Sequence, residues 1–83
     1  MSRIKKLTPK TQAVILFNEY IMFQVKESRD FQLYDEYKNI RFMAIDLMEE
    51  NNLMYSDLPV LNKFNAQNIN NWCKDQIDLD MFK

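Results

Sequence analysis

No glycine occurs anywhere in this 83-residue chain, and that absence narrows the possible folds more than any residue present. Tight β-hairpin turns need backbone at positive φ, which glycine supplies without steric cost. Gly-rich loops that cradle phosphates are excluded on the same ground. Only Pro9 and Pro59 punctuate the chain otherwise. It therefore reads as helices joined by Asn and Asp, an all-α compact bundle of three to four helices.

The first helix announces itself at Thr8-Pro9. Threonine caps, and proline takes the first helical position, where its missing N–H costs nothing. The helix is expected to run to about Lys26. Ten of the thirteen residues in AVILFNEYIMFQV, 13–25, are apolar. A helix that apolar around its circumference is buried on all sides or covered on one by a partner. The β-branched start of this run also suits a strand, ranked second because no hairpin signal follows.

A second helix is expected from an Asp30 cap to about Asn51. Leu33, Tyr37, Ile40, Ala44 and Leu47 recur at helical spacing as a continuous seam, with Asp35, Lys38, Asp46, Glu49 and Glu50 mainly elsewhere. Asn51-Asn52 ends it, asparagine tolerating the left-handed cap geometry well. A third, short helix fits Asp57 to Phe64, with Pro59 in its first turn and Leu58, Leu61 and Phe64 on one side. Asn65 then caps a fourth helix carrying Ile69, Trp72 and Cys73 inward. Eighty-three residues make one domain. It is flanked by a basic N-terminal arm (1–7) and a hydrophobic–acidic C-terminal tail (76–83).

Composition then bears on function. Histidine is absent and Cys73 is the only cysteine, which removes the commonest acid–base catalyst and any zinc cluster within one chain. The expectation is a non-enzyme with no cofactor, no metal and no catalytic residue. Cys73, beside Trp72, reads as a small buried hydrophobe. A lone cysteine fits a reducing compartment, and no apolar leader precedes residue 13. The apolar run at 13–25 is too short for a bilayer and carries Glu19 and Gln24. A cytoplasmic protein without membrane contact is expected, in the host cytoplasm if phage-encoded.

Charge is uneven. Arg3, Lys5, Lys6 and Lys10 meet no acid in the first ten residues, leaving seven bases against twelve acids in the remainder, a balance of −5. The arm suits contact with phosphate or an acidic protein, or is a solvated leader.

Two motifs carry functional readings. Residues 58–74, LPVLNKFNAQNINNWCK, have the spacing of a helix-turn-helix, with Leu61, Phe64, Ile69 and Trp72 as packing positions. Gln67, Asn68 and Asn71 would project, and amides can read adenine edges. With Arg3, Lys5 and Lys6 they are the candidate nucleic-acid contacts, although few cations flank that helix. The same pattern also describes two packed helices and no more.

The second motif is the ending QIDLDMFK, 76–83. Gln76 followed by Leu79 and Phe82 resembles the short peptides by which replication and transcription proteins hook onto sliding clamps, with Lys83 where a second aromatic often stands. Leu79 and Phe82 can enter one apolar pocket while Gln76 hydrogen-bonds at its rim. The triplet Asp80-Met81-Phe82 is similar to clamp-binding tails of large tailed phages. Alternatively Ile77, Met81 and Phe82 complete the apolar face of the last helix. With AIDLMEENNL at 44–53, Leu58, Leu61, Ile69 and the Ile77-Asp78 tail, the second half of the chain resembles the small helical late-transcription coactivators of those phages. The resemblance implies a helical body gripping the flap of the host RNA polymerase β subunit. It also implies a tail, here Leu79, Met81 and Phe82, that binds the clamp.

The favoured expectation is a phage-type interaction adaptor whose partner-binding residues are Gln76, Ile77, Leu79, Met81 and Phe82. As a transcription coactivator it would bridge RNA polymerase and a sliding clamp, raising effective concentration by tethering. The alternative is a small inhibitor of a host enzyme or defence complex, anti-CRISPR-like, whose acidic body mimics nucleic acid. A DNA-binding module is third, and a homodimer through the first helix fourth.

Overall fold

The computed structural model describes residues 3–82, Arg3 by its backbone alone; residues 1, 2 and 83 of the arm and tail lie outside that range. Four α-helices are present among the described residues: α1 (Pro9–Ser28), α2 (Gln32–Glu36), α3 (Lys38–Glu50) and α4 (Ala66–Gln76). Short 3-10 turns at Arg3–Lys6, Tyr55–Asp57 and Leu79–Phe82 join or flank them, and no strand occurs in this range. The domain is an all-α bundle whose radius of gyration, 11.9 Å, is that of a compact chain of this length.

α1 starts as its sequence dictates. Thr8 is extended, its Oγ1 accepts from the Thr11 N–H at 3.3 Å, and Pro9 opens the first turn. The helix ends two residues later than expected. Arg29 takes the left-handed conformation at φ 58°, and its N–H donates to the Val25 carbonyl at 2.9 Å. Val14, Ile15, Phe17, Ile21 and Val25 are buried, packed between α4 on one side and α2 and α3 on the other. Each such side chain contributes roughly 1.5–3 kcal/mol of burial. α1 is therefore the central element, although Met22 on its outer side stays exposed.

The single helix expected from Asp30 to Asn51 is broken. Asp30 does not cap it: the residue before α2 is Phe31, with no side-chain cap. The break falls at Tyr37, at φ −112° and ψ 37°, where the Tyr37 ring meets Phe17 edge-on with centroids 5.0 Å apart. Beyond it the seam holds. Ile40 and Ala44 are fully buried, Leu33, Tyr37 and Leu47 are partly buried against the core, and Met48 joins them. Asn52 ends α3 at φ 55°, and the Leu53 N–H returns to the Met48 carbonyl at 2.8 Å, closing a Schellman-type cap.

The third helix expected over 57–64 does not form. A 3-10 turn ends at Asp57, whose Oδ2 accepts from the Met54 N–H at 2.9 Å, and the chain then extends. The reason is local: Leu58 precedes Pro59, whose ring disfavours helical backbone in the preceding residue, and Leu58 adopts φ −96° and ψ 150°. Leu58 is buried, Leu61 half-buried, and Phe64 is 92% exposed. Asn65 does not cap α4 with its side chain. Its Oδ1 turns back to accept from the Asn62 N–H at 2.8 Å, while Asn62 Oδ1 accepts from the N–H groups of Phe64 and Asn65. Within α4, Cys73 is fully buried and Ile69 and Trp72 lie half-buried against the core, the inward side expected.

Candidate protein-interaction surfaces

The tail is folded onto the domain. Ile77 is 7% exposed, its N–H bonded to the Cys73 carbonyl at 3.0 Å. Asp78 Oδ1 accepts from the Asp80 N–H, and the Met81 N–H donates to the Asp78 carbonyl, which builds the closing turn. Leu79 and Phe82 pack partly buried against the core, and this turn touches α3. Gln76 is half-buried as the last residue of α4, and Met81, at 79% exposed, points away. Ile77, Leu79 and Phe82 thus belong to the domain's own packing. They complete it through a separate turn rather than along the face of α4, and Met81 takes no part.

The candidate nucleic-acid contacts are spread over two places. Gln67, Asn68 and Asn71 are exposed on one side of α4, with Gln67 Nε2 donating to Asn71 Oδ1 at 3.1 Å. The helix that should precede them in a helix-turn-helix is the extended segment after Asp57, and Phe64, expected to pack, faces solvent. Lys5 and Lys6 are exposed, while the Arg3 side chain lies outside the described residues. The arm is no free leader over this stretch, because Ile4 is 4% exposed and part of the core.

Two surfaces were not expected. The outward side of α3 carries Phe42, Met43 and Ile45, 52%, 43% and 47% exposed, among exposed Asp46, Glu49 and Glu50. Phe42 stands opposite the buried line of Ile40, Ala44 and Met48, with Met43 and Ile45 on its two flanks, so the helix buries one apolar face and leaves three apolar side chains around its outer half. The signal was in the sequence: Phe42, Met43 and Ile45 are apolar residues left off the Leu33–Leu47 seam.

The second surface is a cleft of about 590 Å³ between the C-terminal half of α1, α2 and the extended segment. Met22, Phe31, Tyr34, Tyr55, Leu58 and Val60 line it, with Glu19 on its wall and Lys26 and Arg29 also bordering it. A recess continuous with it reaches Asn18 and Arg41. Burial raises the Glu19 carboxyl above its ordinary pKa, and no cation among the described residues pairs with it. Arg41 instead lies over the Tyr34 ring, 4.9 Å from its centroid. Asn18 is 6% exposed, and its Oδ1 accepts no hydrogen bond from the described residues. Asn70 on α4 has the same condition.

Burial pushes the Cys73 thiol up to about 12, so at neutral pH it is a packed thiol rather than a nucleophile. Among the described residues no group of three or more Cys, Asp or Glu is placed to hold a metal ion. No helix among them is long and apolar enough to cross a membrane. No protein-family model, curated protein or solved structure matches this chain.

Proposed function

We propose that this protein is a non-catalytic interaction protein that acts by occupying a basic and apolar surface of a partner, in the manner of a phage-type inhibitor or adaptor. The observation that carries the reading is the outward side of α3, where three large apolar side chains stand exposed among three acids on a well-anchored helix. Large exposed apolar side chains set among charges are how interface anchors look before binding. Asp46, Glu49 and Glu50 match a surface that otherwise receives phosphates, such as the nucleic-acid channel of a polymerase or a defence enzyme. The absence of histidine supports a role without acid–base chemistry.

The tethering reading, with the tail hooking a sliding clamp while the body holds RNA polymerase, rests on a different observation. Met81 is exposed and Leu79 and Phe82 are only partly buried, so the Leu79–Phe82 turn can peel away without opening α4. Releasing it costs the burial those two side chains have in the free protein.

Affinity capture from bacterial lysate separates the two, read by mass spectrometry with three variants beside the intact chain. Neutralising Asp46, Glu49 and Glu50 to their amides, or changing Phe42 and Ile45 to alanine, is expected to abolish capture of a nucleic-acid-handling enzyme. Changing Leu79 and Phe82 to alanine is expected to leave it intact. Loss of a sliding clamp in the tail variant alone would establish tethering instead.

A further inference from the structure

Phe64 is the most exposed large apolar residue described, at 92%, yet its backbone is held by hydrogen bonds. Asn62 Oδ1 binds the N–H groups of Phe64 and Asn65 at 2.8 and 3.0 Å, Asn65 Oδ1 binds the Asn62 N–H, and Asn65 Nδ2 donates to the Val60 carbonyl at 3.0 Å. Four hydrogen bonds fix a loop tip that carries the exposed Lys63 and Phe64 at consecutive positions. A preorganised loop backbone has already lost the freedom that ordering it on binding would otherwise cost.

The last of those bonds also ties the tip to the wall of the cleft, which Val60 and Leu61 form. That cleft offers what the tip lacks. Its lining by Met22, Phe31, Tyr34 and Tyr55 is apolar and aromatic, and it has room for a phenyl ring. Among the described residues its Glu19 carboxylate has no cation partner, and the Asn18 acceptor in the adjoining recess has no donor. Lys26 and Arg29 border the cleft without reaching Glu19, and Arg41 is engaged with Tyr34.

We infer that the cleft receives the Lys63-Phe64 tip of a second copy of this chain, giving a two-fold dimer in which each copy inserts its tip into the other. Phe64 fills the apolar part, and Lys63 brings its ammonium to Glu19. The adjacency of tip and cleft on one molecule matters, because a two-fold interface joins the same patch on both partners and closes only if donor and acceptor surfaces lie within that patch. The recess beside the cleft reaches Ile45 at one edge of the outward side of α3, so the dimer interface borders that face and leaves Phe42 and Met43 outside the cleft lining.

Sedimentation equilibrium on the full chain, from micromolar to millimolar concentration, tests the inference. The expected result is a monomer–dimer equilibrium whose dissociation constant rises about tenfold or more in Phe64→Ala, with helical circular dichroism unchanged. Lys63→Glu and Glu19→Lys are each expected to weaken association about tenfold, and the double variant to recover most of the loss. A single species of monomer mass throughout the range overturns the inference. So does a dimer indifferent to Phe64→Ala, or a double variant no better than the singles.

Discussion

Residues 9–28 and residues 51–65 are both generously supplied with apolar side chains, and the bundle treats them in opposite ways. The first form α1 and bury Val14, Ile15, Phe17, Ile21 and Val25. The second run mostly extended over the surface, burying Leu53 and Leu58 while leaving Met54, Tyr55, Val60 and Phe64 in solvent. α1 is held by packing on both flanks. The connecting segment is held by its own side-chain hydrogen bonds, at Asp57 and in the Asn62–Asn65 pair. Conformation follows from burial in one and from local polar geometry in the other, so the two should respond to substitution differently.

The widest gap is expected at Ile15. Ile15→Ala removes a fully buried side chain and should cost about 2–5 kcal/mol in urea unfolding. Leaving stability unchanged there would mean that α1 is not the centre of the core. Ile77→Ala probes whether the tail shares the α1 regime. At 7% exposed it should cost about 2 kcal/mol, whereas a docking of no consequence would cost nothing measurable. Asn62→Ala tests the other regime by removing the acceptor of two backbone N–H groups at an exposed tip. A loss of about 1 kcal/mol is expected, with α1 and α3 intact by amide exchange.

The smallest effect has the opposite sign. Because burial raises the Glu19 carboxyl, the folded state binds more protons than the unfolded one between the ordinary value of 4.5 and the raised value. Stability therefore falls as pH rises through that window, and the cost persists above it. In dilute solution Glu19→Gln should be slightly more stable than the parent at neutral pH, the advantage vanishing below pH 4.5. An advantage that grew on acidification would show the burial of Glu19 to be wrongly understood.

How much of this was legible depends on how local the determinant is. Thr8-Pro9, the Ile40–Ala44 seam and the Asn51-Asn52 ending act through nearest neighbours, and each element appears where those residues put it. The helix over 57–64 went wrong although its determinant was also local. The i, i+3 spacing of Leu58, Leu61 and Phe64 outweighed the restriction Pro59 places on Leu58. The Tyr37 break, by contrast, involves Phe17, twenty residues away, and no window along the chain contains both. The candidate surfaces were the least legible. Periodicity identifies which side of α3 faces the core, but not that Phe42, Met43 and Ile45 remain uncovered. The cleft draws residues from α1, α2 and the connecting segment that only tertiary packing unites. For the tail, the spacing of Leu79 and Phe82 suits a free hook and a docked turn equally, and only the burial of Ile77 distinguishes them.

The positive-φ residues have a consequence for the unfolded chain. Arg29 and Asn52 adopt left-handed backbone while carrying a Cβ, at a cost on the order of 1 kcal/mol each, asparagine the less. Glycine would relieve that strain, but each glycine also widens the ensemble that folding must abandon, by a comparable free energy. A glycine-free sequence lets its denatured state wander less. For a domain this small, part of what keeps the native bundle populated is the poverty of the alternatives.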